Sequence, residues 1–159
     1  LPLAAVASDL ITGDRAVLRR GRAAEALYAS AALAGILPPL ERDGKLLADG
    51  AYADIAPIDV ARELLPGGLV IAVNPHEFRN ARPPRNGLQA LVRALEVCHQ
   101  RHAHVRFAEA DVLLEPQFPF PIDTLDFGHK RVCVAAGVRA VRAVLPRLRE
   151  LLGAVSAGV

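Results

Sequence analysis

Leu69-Val70-Ile71-Ala72-Val73 is an unbroken apolar run, set between Pro66-Gly67-Gly68 and a loop that opens at Asn74. A run this short with no polar face reads as a strand buried on both sides. The segment before it, Pro57 to about Leu65, has Pro in a first-turn position and ends at Pro-Gly-Gly, so it reads as a helix. Helix, turn and buried strand in that order predict an α/β layered domain with a parallel sheet.

The rest of the chain fits around this unit. Residues 3–8 form a second short apolar run, closed by the turn signal Thr12-Gly13-Asp14, and Ala16 to Leu18 reads as the next strand. From Arg22 to about Ala34 the chain is Ala-rich and helical, until Pro38-Pro39 stops it. Leu40 to Leu46 carries Asp43-Gly44 at its tip, a hairpin between short strands. A helix is expected over 88–102, with Leu88, Leu91, Val92, Leu95 and Cys98 on one face. Asp111 to Glu115 reads as a strand stopped by Pro116. Phe127 to Leu152 reads as a long helix with Asp126 as its N-cap and a kink at Pro146. Its apolar stripe is Val134, Val138, Val141, Leu145, Leu148 and Leu152, and residues 153–159 read as a tail.

With 52% apolar residues in 159, the chain is long enough for a core, and with 4% aromatics that core must be built from Ala, Val, Leu and Ile. A net charge of +2 is too small to argue for nucleic acid. Cys98 and Cys133 form no Cys-x-x-Cys pattern and are expected reduced and buried. No run of about 18 apolar residues predicts a transmembrane helix. The opening Leu-Pro-Leu-Ala-Ala-Val-Ala-Ser lacks the basic start of a signal peptide. The chain contains no Met and starts at Leu1, which reads as the C-terminal part of a larger enzyme. Its Arg and Ala bias fits a GC-rich bacterial genome.

The chemistry centres on Leu46-Leu47-Ala48-Asp49-Gly50-Ala51, an apolar strand ending in a carboxylate. Gly50 adds no side chain to obstruct a substrate or nucleophile approaching Asp49. The bland reading of the same residues is an Asp-Gly turn. None of the serines Ser8, Ser30 and Ser156 stands in a Gly-x-Ser-x-Gly elbow. Ser30 reads as a structural hydroxyl bonded to backbone. His99 and His102 are one turn apart and could share a metal with His104, but the segment reads better as a solvated helix end beside Arg101 and Arg106. His76 reads as a loop histidine. Arg79, Arg82 and Arg85, and on the last helix Arg139, Arg142 and Arg149, read as solvated groups able to meet anionic headgroups. Gly44-Lys45 and Gly67-Gly68 lack the spacing of phosphate loops.

Several blocks in order resemble the C-terminal half of bacterial patatin-like phospholipases. These are Val6-Ala7-Ser8-Asp9-Leu10-Ile11-Thr12-Gly13, Ala29 to Pro39, Leu47-Ala48-Asp49-Gly50-Ala51, Val70 to Asn74, Ala110 to Pro116, and Leu125-Asp126-Phe127. Within Ala29 to Pro39 the chain departs from the family pattern, with Ala34 where Pro is usual and Leu37 where Phe is usual. The resemblance implies a three-layer patatin-like α/β fold with a mostly parallel sheet, its N-terminal part absent. It implies a lipid acyl hydrolase working through a Ser–Asp dyad, with Asp49 the catalytic carboxylate and general base. The nucleophile would come from the absent N-terminal part, and this chain alone would be inactive. It also implies a lipid ester substrate, no metal or cofactor, and a cytoplasmic or membrane-peripheral place in a bacterium. The rival readings are a non-catalytic remnant or interaction module with the same fold, and a metal-binding module using the histidines of 99–104.

Overall fold

The computed structural model describes residues 2–75, 83–122 and 126–157, without the side chains of His102 and of 154–157. The chain is mixed α/β and divides into two compact units, residues 1–67 with 101–106, and residues 68–100 with 107–159.

In the first unit β1 (Ala5–Asp9), β2 (Arg15–Leu18), α1 (Ala23–Ser30), β3 (Leu40–Arg42), β4 (Lys45–Asp49) and α2 (Ile58–Leu64) follow in sequence. The strands form one sheet in the order β2-β1-β4-β3, antiparallel throughout. The mostly parallel sheet expected from the sequence is therefore not what this unit builds. The links explain why. The Asp9–Asp14 turn closes on Gly13 N–H to Asp9 O and Asp9 N–H to Asp14 O, and a reversal that tight can join only antiparallel strands. The β3–β4 link is a two-residue hairpin, with Asp43 at φ 52° and Gly44 at φ 73° supplying the left-handed pair that such a turn requires.

Every residue of β1 is buried, as a central strand covered on both faces must be. The core beside it is built from small groups, Ala7, Ala16 and Ala29 around Leu47, with Leu18 and Leu40 at its edge. α1 ends at Ser30, short of the expected Ala34. The Ala32 carbonyl accepts from Asp49 N–H at 3.0 Å, and Ile36 N–H turns to Leu33 O instead. A longer helix would have had to spend the Ala32 carbonyl on Ile36.

The second unit holds β5 (Ile71–Val73), α3 (Gly87–Phe107, whose residues 101–106 count with the first unit), β6 (Val112–Leu114) and α4 (Lys130–Ala157). Here the expected parallel pairing does occur, β5 with β6, Ile71 opposite Val112. Asp111 Oδ2 accepts from Val70 N–H at 2.8 Å and Asp111 N–H returns to Val70 O, extending the ladder beyond the strand ends. The β5 run is not buried on both faces: Ala72 points inward, while Ile71 and Val73 are about half exposed.

Both long helices present faces other than those expected. On α3, Leu88, Leu91 and Cys98 are exposed, and Gln100, Ala103 and Phe107 are buried. The inward line carries a polar chain, Gln100 Nε2 to Asn74 Oδ1 and Asn74 Nδ2 to Glu115 Oε1, both 3.3 Å. Buried amides need such partners, and the pairing lets Gln100 and Asn74 sit inside. On α4, which lies against β6, Ala136 is buried, whereas of the expected stripe Val134, Val138, Val141 and Leu152 are exposed and Leu145 and Leu148 half-buried. α4 begins at Lys130, not Phe127, because Asp126 accepts from Gly128 N–H at 3.0 Å and closes a turn before the helix. The helix runs through Pro146 to Ala157. Among the described residues no helix is long and apolar enough to cross a membrane.

Candidate functional site around Asp49

β4 delivers Asp49 to the end of the sheet, opposite Ala7 of β1. A turn of 3-10 helix, Gly50–Tyr52, follows at once, and Asp49 caps it by accepting from Ala51 N–H through Oδ1 at 2.9 Å. This is the ordinary use of an aspartate before a helical turn. It fixes one carboxylate oxygen and the χ1 angle together. The side chain is half-buried.

Three residues hold that turn in place. The Ser8 hydroxyl, buried on β1, donates to Asp49 O at 2.7 Å and accepts from Ala53 N–H at 2.9 Å. Gly50 is buried against β1, where any Cβ would lie 2.2 Å from the Val6 carbonyl oxygen. Packing against Val6 alone demands glycine there, whatever access it gives to a substrate. Tyr52 brings its hydroxyl to Ala34 N–H, accepting at 2.8 Å. Burial raises the Tyr52 hydroxyl above the usual phenol range, the Ala34 N–H offsets part of that, and the Asp49 charge adds to the rise. Asp9, one residue past Ser8, accepts from Ile11 and Leu46 N–H at 3.1 and 3.3 Å. The Ile11 bond, foremost, holds its carboxyl below the usual range, against the opposing effect of burial.

The other nearby acids are committed. Arg15 grips Asp59 with two nitrogens at 2.9 and 2.7 Å and reaches Asp54 at 2.6 Å. Arg106 bonds the same pair, Asp54 Oδ2 at 3.1 Å and Asp59 Oδ1 at 2.7 Å. The Arg15 bonds, foremost, hold the Asp59 carboxyl far below the usual range, and the same carboxylates raise Arg15. Arg106 is thus no solvated helix-end group, as its sequence neighbourhood predicts, but one member of a four-charge network with Arg15, Asp54 and Asp59. Asp49 differs: its bonded partner is a backbone amide, while Arg15 and Arg106 pair with Asp54 and Asp59.

The remaining candidates fall elsewhere. Ser30 closes α1, half-buried, and the backbone bond expected of it is absent among the described residues. His104 is exposed, and the described residues include no cluster of three metal-ligating side chains. His76, Arg79, Arg82 and the side chains of His102 and Ser156 lie outside the described residues. His129 pairs with Asp126 at 2.8 Å and meets the Phe120 ring edge-on at 5.0 Å. Cys98 is exposed and Cys133 half-buried; neither is in a disulfide, and neither is buried as expected. Ser8 and Arg106 were missed as structural residues because their partners are distant in sequence.

No family model matches the chain. It is similar to NTE family proteins of Mycobacterium bovis and Mycobacterium tuberculosis, 27% identical over 173 positions covering 92% of this chain and 29% of the relative. A different NTE family protein of Mycobacterium tuberculosis is 43% identical over 58 residues, 36% of this chain and 16% of that protein. Lysophospholipase NTE1 of Cryptococcus neoformans is 41% identical over 63 residues, 40% of this chain and 4% of that protein. The chain spans less than a third of the length of the first of these relatives. These likenesses support a resemblance, at the level of the family, to NTE proteins and their patatin-like phospholipase domain.

Proposed function

We propose that this chain supplies the carboxylate half of a Ser–Asp dyad in a patatin-like lipid acyl hydrolase. The serine, the oxyanion donors and the rest of a three-layer fold come from polypeptide beyond these residues. Asp49 takes the proton from the serine Oγ as the latter attacks an acyl ester carbonyl. The alcohol leaves, and water then releases the fatty acid from the acyl-serine. A phospholipid or lysophospholipid is the substrate class, in keeping with the lysophospholipase named among the similar proteins.

One observation carries the reading. Asp49 is anchored at Oδ1 by Ala51 N–H at a strand end, while Asp54 and Asp59 are bound up by arginines. A base needs an ionised carboxylate with an oxygen to spare, and Asp49 meets that need best of the three.

The test uses purified 1–159 and the same chain extended upstream until a Gly-x-Ser-x-Gly is included. The expected result is no turnover of a nitrophenyl ester by 1–159, and turnover by the extended protein. Asp49→Asn, which still offers an acceptor to Ala51 N–H, should lower kcat by about 10²–10⁴ without moving the unfolding midpoint. Full activity of Asp49→Asn would falsify the proposal.

A further inference from the structure

α4 carries six of the chain's 19 Lys and Arg residues and one of its 17 Asp and Glu residues. The rest of the chain is therefore net acidic, and the net positive charge of the molecule comes from this helix. The charges are also ordered. Positions 131, 142 and 149 are separated by about three and about two helical turns, so Arg131, Arg142 and Arg149 line up along one side. All three are exposed, and none forms an ion pair with a described residue. Beside that row, at spacings of three and four, runs a second row that faces solvent: Val134 at 67% exposure, Val138 at 44%, Val141 at 39% and, further on, Leu152 at 56%. The opposite side of the helix, marked by buried Ala136, is the one turned inward.

An exposed apolar stripe flanked by arginines and almost free of carboxylates is the pattern of a helix lying in a lipid–water interface. Guanidinium groups at the edge meet phosphate oxygens, and the branched aliphatic groups enter the acyl boundary. A second copy of this chain is a poorer occupant. Packing through α4 would set each row of cations, with its single Glu150, against a like-charged helix. We propose that α4 docks the protein on an anionic lipid surface, Val134, Val138 and Val141 inserted and Arg131, Arg142 and Arg149 at the phosphates. The proposal uses no residue near Asp49, and it requires that the polypeptide which the hydrolase reading adds upstream leave this face of α4 uncovered.

The experiment is co-sedimentation of 1–159 with vesicles of phosphatidylglycerol and phosphatidylcholine, against vesicles of phosphatidylcholine alone. Binding should require the anionic lipid and weaken as salt rises from about 0.05 to 0.5 M. Replacing the three arginines by glutamine should weaken it by roughly fivefold per residue, and Val138→Ser should weaken it further. All four residues are exposed, so an unchanged circular dichroism spectrum checks that the variants fold. Asp49→Asn should bind like the unaltered chain, which separates failure here from failure of the hydrolase reading. Equal binding to neutral vesicles would overturn the proposal. So would full binding by the glutamine variant, or a self-associated chain that Val138→Ser dissociates and that ignores vesicles.

Discussion

The Ser8 hydroxyl donates to the carbonyl of Asp49 at 2.7 Å, so a side chain from one strand holds the backbone of the residue that ends its neighbour. The same oxygen accepts from Ala53 N–H at 2.9 Å. A single buried atom thus bridges both ends of the turn that presents the carboxylate.

Ser8→Ala should therefore lower stability by about 1–2 kcal/mol, since it removes a bond to the Asp49 carbonyl and one from the Ala53 amide, which keeps its bond to Gly50 O. Tyr28 and Tyr52 are the only tyrosines and both lie in the first unit, so urea unfolding followed by tyrosine fluorescence reports on that unit alone. A shift in midpoint no larger than that of an exposed control such as Glu41→Ala would show that the bridge contributes nothing.

Two glycine-to-alanine changes should act in opposite directions. Gly50→Ala drives a methyl group into the Val6 carbonyl, and the strand must shift to admit it. A destabilisation of about 1–3 kcal/mol or more is expected from such overpacking. Gly137 lies within α4 with nothing near its missing Cβ, so Gly137→Ala should stabilise by about 0.5–1 kcal/mol through helix propensity. Thermal unfolding of the two variants side by side checks both signs.

The arginine network should separate buried from exposed pairs. Asp54, 7% exposed, bonds both Arg15 and Arg106, so Asp54→Ala should cost about 2–3 kcal/mol. Arg19 and Glu63 also pair, but both are exposed, and Arg19→Ala should cost less than about 1 kcal/mol. Denaturant midpoints that rank the two variants the other way would contradict this.

Acid should unfold the first unit along a defined course. Asp59, held low by Arg15 and then Arg106, and Asp9, held low by the Ile11 amide, have folded-state values below those of the open chain. The unfolded state binds their protons first. Their contribution is complete above the ordinary carboxylate value of about 4 and is lost as pH falls through the depressed folded values. Asp59→Asn should flatten the decline in tyrosine-monitored stability between about pH 5 and pH 2. An unaltered slope would place the acid sensitivity elsewhere.

Local chemistry made parts of this fold legible in the sequence. Asp43-Gly44 marks the hairpin, because few residues accept two left-handed conformations in a row, and the strand that ends at Asp49 follows from it. The helix faces were not legible. On α4 the aliphatic residues with the strongest periodicity, Val134, Val138 and Val141, face outward, while small Ala136 packs inward. In a core made of alanine, size and burial part company, and a hydrophobic stripe no longer identifies the buried side. Strand direction failed for another reason: the parallel signature around Leu69 to Val73 describes only its own unit. At the candidate site Asp49 was visible from its strand-end position, but Ser8 and Arg106 work through partners roughly forty to fifty residues away, and no local pattern announces such pairs.

The clash between Gly50 and Val6 has a consequence for lineages that share this motif. A descendant that does not use this aspartate as a base needs it only to cap the turn, a role Asn or Ser can fill, but must still keep the glycine, since the neighbouring strand leaves no room for a methyl group. In a decayed member of such a lineage the second letter of the pair should outlive the first, and inheritance of the glycine alone records architecture rather than activity.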